Sequence, residues 1–466
     1  MEILMKKDNN LEHQKKASRK IIIGNVDGES LVGETKNHTP YMLASASIVA
    51  NRLSWFVEEG DILLLPYSIS REFQEYMCKL LRINPDKISI LSPPDSEEEK
   101  TKLLTFDILT DERLYEKVRG LAGSNDDSIG ILPYYFDRAV AQFAQHMNTN
   151  VYPHTVEFLL QGGSEVLNSK VEFRRIAASH NIPVAEGMNC YSKNELQKAI
   201  LALITKTGSV IVKQDVNAGG DGNIVLTKNI DKKESKGAFE TIYYDPNIPI
   251  EETVSYLWSK LIGFRNTALV IEVYYETVGV YYSELAVSRQ NLRPLLLNFG
   301  DMRMEPVWNG FEIPTSNMDP YTLAEFISSS TALANVARER GYEGNINIDG
   351  LLTDDGKLMI SEINGRNGGC SHIHYLAQKL YGENYAKDYK ILTRNKIKAG
   401  KSLAKLLDLL QQDNLLVTKE YQEGVIILTE DFARTETIEY MVVGKGDINA
   451  KKIEDKALHL FESLNK

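Results

Sequence analysis

Two strand-like segments, Ile346-Asn347-Ile348-Asp349-Gly350 and Leu358-Met359-Ile360 running on to Glu362-Ile363-Asn364-Gly365-Arg366, constrain this chain more than any other feature. The first is an alternating apolar run that ends in a carboxylate, and Thr353-Asp354-Asp355-Gly356 turns the chain between them. Side chains in a strand alternate faces, so Glu362, Asn364 and Arg366 share one face, and in a hairpin Asp349 can meet them. Two carboxylates and an amide oxygen are hard ligands suited to Mg²⁺ or Mn²⁺. The cation two positions on suits a phosphoryl oxygen. The pattern predicts a metal–nucleotide hairpin; the plain alternative is a hairpin with solvated charges.

Two upstream segments fit the first reading. Ser209-Val210-Ile211-Val212-Lys213 reads as a buried strand ending in a lysine. It leads through Asn217-Ala218-Gly219-Gly220-Asp221-Gly222-Asn223 into a second strand, Ile224-Val225-Leu226. Gly219, Gly220 and Gly222 let backbone N–H groups approach phosphate oxygens, and Lys213 adds a point charge. The loop lacks the spacing of a Walker A motif, and a plain β-turn is its bland counterpart. Between the loop and the hairpin, Ala268 to Glu276 is an apolar strand running into an aromatic, acidic end. Such a wall can hold an adenine, with a nearby carboxylate for ribose hydroxyls; a core strand with a polar end is the other reading.

The order Lys170, Lys213 before a glycine loop, Glu272, Asp349, then Glu362-x-Asn364-x-Arg366 resembles the ATP-grasp superfamily over approximately residues 165 to 390. The resemblance implies that Lys170 and Lys213 contact ATP phosphates beneath the 217–223 loop. It implies that the Glu272–Tyr275 backbone, through Tyr274 and with Glu276 beside it, holds the nucleoside. It also implies that Asp349, Glu362 and Asn364 hold two magnesium ions, and that Arg366 neutralises charge on the transferring phosphoryl or acyl phosphate. Lys170 follows Asn168-Ser169, where many members have Asp-Lys, and Asp349 replaces a common glutamate. The whole chain is similar to the peptide-ligase branch with a pre-ATP-grasp domain. Within it, the likeness is to ligases of the butirosin kind, which load L-glutamate onto an acyl-carrier protein in antibiotic biosynthesis. The implied activity is an ADP-forming ligation of an amino-acid carboxylate to a phosphopantetheine thiol or an amine. Peptide ligation and a non-catalytic ATP-binding regulator are the alternatives.

The length, 466 residues, predicts two or three domains. The expected layout is a flexible arm over 1–20, an α/β pre-ATP-grasp domain over 21–160, an ATP-grasp domain of two α+β subdomains over 161–394, and a small α+β domain over 395–466. Alternating strands and helices near residues 21–91 favour a parallel sheet. Pro93 to Glu99 reads as a loop feeding a helix, and the polar stretch 231–252, with Pro246 and Pro249, as an excursion. The three cysteines lie far apart, which fits a reducing cytoplasm rather than disulfides or a structural zinc. A net charge of −11 disfavours nucleic acid as a partner. No apolar run reaches the length of a membrane span.

Secondary candidates surround the hairpin. Cys370, just past Arg366, invites a covalent reading, but a small residue packed beside the site is the better one. His372 and His374 are either substrate contacts or core residues. Arg289, which follows the strand Tyr282-Ser283-Glu284-Leu285-Ala286-Val287, and Arg303 in Gly300-Asp301-Met302-Arg303-Met304 are candidates for a substrate carboxylate; apolar surroundings put Arg303 first. Lys387, Lys390, Arg394, Lys396, Lys398, Lys401 and Lys405 form a basic run that is either a dock for an acidic carrier protein or a solvated linker.

Overall fold

The computed structural model describes residues 19–26, 28–33, 39–93, 103–123, 129–151, 154–217, 219–263 and 266–465. Near its N-terminus, short strands alternate with helices, and the chain forms a parallel sheet as that alternation requires. Strands β1 (Arg19–Ile23), β2 (Ile62–Leu64), β3 (Ser89–Leu91), β4 (Ile129–Pro133) and β5 (Asn150–Val151) lie in the order β3-β2-β1-β4-β5. Helices cover both faces, so Ile21, Ile22 and Ile23 are all buried without alternation.

The next sheet is built from β6 (Gly187–Cys190), β7 (Ser209–Gln214), β8 (Asn223–Thr227), β9 (Glu240–Tyr243) and β10 (Leu269–Val273), in the order β6-β10-β7-β8-β9. Helices Lys193–Thr207 and Ile250–Leu261 pack Leu196, Ile200 and Leu257 against Val210, Val212 and Leu269. The third sheet is antiparallel and has eight strands: β11 (Thr277–Val287), β12 (Leu295–Met304), β13 (Trp308–Ile313), β14 (Gly344–Thr353), β15 (Leu358–Asn364), β16 (Lys390–Lys398), β17 (Gly424–Asp431) and β18 (Thr437–Gly444). Their order is β15-β14-β11-β12-β13-β16-β18-β17.

Three expectations about organisation change. The boundary expected at 394/395 falls inside β16, and β17 and β18 continue the third sheet, so residues 395–466 are not a separate small domain. Burial explains this: Ile22 and Trp55 from the first sheet's layer share one core with Val425, Tyr440 and Phe461. The Trp55 indole N–H donates to the Leu428 carbonyl at 2.7 Å across that join. Residues 231–252 are not only an excursion, because β9 pairs in parallel with β8 and widens the second sheet. Of the expected arm, 1–18 lie outside the described residues, but Arg19 and Lys20 begin β1, where Lys20 pairs with Glu58 at 2.6 Å and Asp61 at 3.1 Å. The loop expected from Pro93 lies outside the described residues beyond that proline. No described helix is long and apolar enough to cross a membrane.

Candidate active site

The β14–β15 hairpin forms as the alternation predicts. Asp349 lies opposite Glu362, and Asn347 opposite Asn364, with a bulge between Asp349 and Gly350. All four side chains line a cleft of about 750 Å³ between the second and third sheets, a volume suited to a nucleotide-sized ligand. Asn364 donates through Nδ2 to Asp349 Oδ2 at 3.4 Å and accepts on Oδ1 from Arg366 at 2.8 Å. Asn347 was not among the expected residues, although its place two before Asp349 puts it on the same face. It donates to the Arg366 carbonyl at 3.2 Å and so fixes the strand end.

The hairpin's electrostatics are those of two acids forced together. Burial pushes the Asp349 carboxyl above its ordinary range, and the facing Glu362 pushes it further; Arg366 and Lys170 oppose this. Burial also acts to raise Glu362, but Lys170, Asn364 and Arg366 prevail and hold it low. The two acids therefore differ, with Asp349 the harder of the pair to ionise. Lys170 Nζ reaches Glu362 at 3.2 Å and donates to the Asn217 carbonyl at 2.7 Å, bridging the hairpin to the glycine loop. Lys170 opens a helix, Lys170–Ser179, capped by Ser169. Asp215 accepts from the Ser169 hydroxyl at 2.7 Å and the Val171 amide at 2.9 Å, tying this helix start to the β7–β8 loop. Ser169 thus takes over at the position where the resemblance led one to expect an acid.

Lys213 on β7 and Glu272 on β10 are diagonal neighbours, Lys213 lying opposite Val270 and Glu272 opposite Ile211, and their side chains pair at 2.5 Å. Arg174 grips the other Glu272 oxygen. Burial would raise the Glu272 carboxyl, yet Lys213 and Arg174 hold it below its ordinary range. Arg174 was missed; its signal is its position four residues after Lys170, one helical turn along the same face. The loop over this pair needs its glycines. Gly220 has φ +88°, and a Cβ on Gly222 would come within 2.5 Å of Gln214 Oε1. Gly219 and Gly220 line the cleft with Lys213.

The expected adenine wall is partly committed elsewhere. The Tyr274 amide donates to the Ser209 carbonyl at 3.0 Å, and its own carbonyl accepts from the Thr207 hydroxyl at 2.8 Å. Tyr275, Val273 and Ile211 line the cleft beside them. Glu276 is a correction: its exposed carboxylate pairs with Lys232 and does not line the cleft. Arg303 is another. Met302 and Met304 line the cleft, so strand alternation sends Arg303 to the opposite face. There it meets Glu454 at 2.5 Å and Glu312 at 3.1 Å. Arg289 also lies outside, paired with Glu343 at 3.5 Å.

The remaining candidates are structural. The Cys370 thiol donates to Asn347 Oδ1 at 3.2 Å and is pushed well up by burial. His372 and His374 are buried in the helix Ser371–Tyr381, and burial holds the latter down at about 4. The basic run is not a linker, because most of it lies on β16 and the helix Leu403–Gln412; Lys387, Lys396, Lys398, Lys401 and Lys405 are exposed, whereas Lys390 and Arg394 are committed to ion pairs. Lys390 is 3% exposed and pairs with Asp447 at 3.2 Å, while Arg394 pairs with Glu305 at 2.8 Å.

Comparison with known proteins bears on the fold. A family model described as Pre ATP-grasp domain matches residues 50–148. No curated protein matches the sequence. Biotin carboxylase from Campylobacter jejuni, in a β,γ-ATP complex, is 13% identical with a TM-score of 0.57, over 96% of this chain and 95% of that one. An ADP complex of N5-carboxyaminoimidazole ribonucleotide synthetase (purK) is 13% identical with a TM-score of 0.56, over 96% and 97%. A 2-oxoglutarate carboxylase biotin carboxylase domain from Hydrogenobacter thermophilus, with MgADP, ADP and bicarbonate, is 10% identical with a TM-score of 0.53, over 91% and 86%. Residues 50–148 thus match a Pre ATP-grasp domain, and the fold of the chain as a whole is like that of these synthetase and carboxylase structures.

Proposed function

We propose that this protein is an ATP-dependent, ADP-forming ligase that activates a carboxylate as an acyl phosphate and passes the acyl group to a thiol or an amine. The observation that carries the reading is the convergence of Lys170, Lys213, Asp349, Glu362, Asn364 and Arg366 in one cleft. The neighbours' nucleotides, ATP and ADP, and the MgADP of one of them support it.

Lys213 exchanges its Glu272 partner for the triphosphate, and the glycine loop donates N–H groups to it. Lys170, already bridging loop and hairpin, follows the charge as it moves. A carboxylate oxygen of the acid attacks the γ-phosphorus, the bond to the β-bridging oxygen breaks, and ADP leaves. Arg366 stabilises the charge that builds on the phosphoryl group and on the acid. The acceptor's sulfur or nitrogen then attacks the acyl carbon, phosphate departs, and the acceptor loses a proton.

The donor set fits a divalent cation: Asp349 and Glu362 are two facing acids that cannot both ionise at ordinary pH without a counter-charge. Asp349 and Glu362 would hold Mg²⁺, with Asn364 once its oxygen is released from Arg366. The ion would supply neutralisation of the phosphate oxygens.

The sequence resemblance implies L-glutamate as the acid and a carrier-protein phosphopantetheine thiol as the acceptor; the acceptor stands as the finer choice, whereas the methionine and aromatic lining of the cleft argues against a diacid. The test incubates the protein with ATP, Mg²⁺ and acid–acceptor sets, including glutamate with a phosphopantetheinylated carrier protein and with free amines. ADP plus phosphate, dependent on both partners, supports the reading. AMP plus pyrophosphate, or no nucleotide turnover with any set, overturns it.

A further inference from the structure

Beyond the phosphate end, the same cleft continues into a chamber that none of the roles above uses. Its walls come from three distant parts of the chain: Val49 and Arg52 from the first domain, Met302, Met304, Trp308 and Phe311 from β12 and β13, and Asn395 and Glu439 from β16 and β18. The aromatic part is ordered. Trp308 and Phe311 have ring centroids 5.0 Å apart, and Phe311 and Tyr282 4.6 Å. The Arg52 guanidinium lies 5.1 Å from the Trp308 ring centroid. A Cβ on Gly369 would come within 2.9 Å of that ring, so the chamber begins three residues past Arg366.

Charge is sparse here. Arg52 and Glu439, both 3% or less exposed, neutralise one another at 2.7 Å. Lys396 is the remaining charged residue that lines this end among the described residues. Two polar atoms stay buried without a partner: the Trp308 indole N–H, a donor, and Asn395 Oδ1, an acceptor. Most buried polar atoms in proteins are paired, and these two line a cleft wall, where a ligand can supply the missing acceptor and donor. A second ionised carboxylate would lose its hydration against methionine, valine and aromatic surface.

We propose, resting on the ligase reading, that this chamber is the acid-binding subsite and selects a monocarboxylic acid with an apolar, aromatic-sized body, its carboxylate turned to Arg366. Met302 and Met304 adapt to the body, because unbranched thioethers fill irregular space. The Trp308 N–H and Asn395 Oδ1 read a hydrogen-bonding group on it. A small diacid such as glutamate is disfavoured by the same surface.

The test uses the full chain loaded with Mg²⁺ and a non-hydrolysable ATP analogue, and measures binding of 3-phenylpropanoate, phenylalanine, leucine, glutamate and aspartate by calorimetry. The expected result is at least tenfold tighter binding of an aromatic or branched acid than of glutamate. Met304→Lys should remove that preference while the affinity for the ATP analogue stays unchanged, which also shows that the variant folds. Met302→Ala, a milder change, should weaken the apolar acid severalfold. Glutamate binding as tightly as the apolar acids, no acid binding at all, or a preference unmoved in both variants would overturn the proposal. Failure to bind the ATP analogue would instead overturn the ligase reading.

Discussion

Glu272→Gln removes the negative charge between Lys213 and Arg174 with little change of shape. In the free protein Glu272 is 5% exposed, and both cations lean on it. Breaking a buried pair by removing one partner costs about 3–5 kcal/mol, because the other charge is left uncompensated. Two cations depend on this carboxylate, so the upper part of the range applies, discounted by the slight opening of Lys213 and Arg174 to the cleft. For a domain of about 150–250 residues, roughly 2–4 °C per kcal/mol translates this into a melting point lower by about 8–15 °C. Nucleotide should return part of the loss, since a triphosphate supplies the counter-charge that Lys213 has lost. Saturating ligand at a hundredfold over its Kd stabilises by about 2.7 kcal/mol, and the variant should show the larger shift. The assay is a thermal melt of wild type and variant with and without Mg²⁺ and an ATP analogue. A variant that melts with wild type, or gains less from nucleotide, would refute the account of Lys213 as a phosphate ligand parked on Glu272.

Four further outcomes follow from the same geometry. Arg366→Met should lower the rate of ADP formation by about 10²–10³-fold with nucleotide affinity little changed, the loss typical of one charge-stabilising donor; single-turnover ADP release checks it. Asp349 has a folded-state pKa raised above its unfolded value, so its contribution to stability is full below the ordinary carboxylate range and is lost as pH rises through the raised value. Melting temperature in chelator should therefore fall as pH rises toward neutrality and beyond, less so in Asp349→Asn, and Mg²⁺ with nucleotide should abolish the fall. Cys370→Ala should leave ADP release within about threefold, under 1 kcal/mol of barrier, because the thiol is a buried donor to Asn347 rather than a nucleophile. Arg303→Ala should destabilise by at most about 3–5 kcal/mol, because Glu454 then keeps only Arg394 at 3.8 Å and the Tyr440 hydroxyl at 2.9 Å, with KM for every substrate unchanged in steady-state assays.

The hairpin acids, the lysine before the glycine loop and the acid of β10 were legible because strand period and short-range spacing dictate them. Asp349 meets Glu362 through a local turn, and no distant part of the chain can alter that pairing. Arg303 was misplaced for a reason also in the sequence: Met302 and Met304 flank it, and the two methionines, not the arginine, take the cleft face. Glu276 lies beyond the end of β10, where alternation no longer fixes direction, and Lys232 from a distant loop claims it. Arg52, Trp308 and Asn395 were invisible because three separate elements bring them together. The merger of the last strands into the third sheet was missed because β16 carries Lys390 and Arg394, whose partners, Asp447, Glu305 and Glu454, lie far away in sequence.

The acyl phosphate is the account's central claim, and oxygen tracing tests it most directly. An acid that supports ADP release is labelled with ¹⁸O in its carboxylate, turned over with ATP, Mg²⁺ and acceptor, and the released phosphate is analysed by mass spectrometry. Attack of that carboxylate on the γ-phosphorus predicts one ¹⁸O in each phosphate formed. Unlabelled phosphate, or label found in AMP, would contradict it.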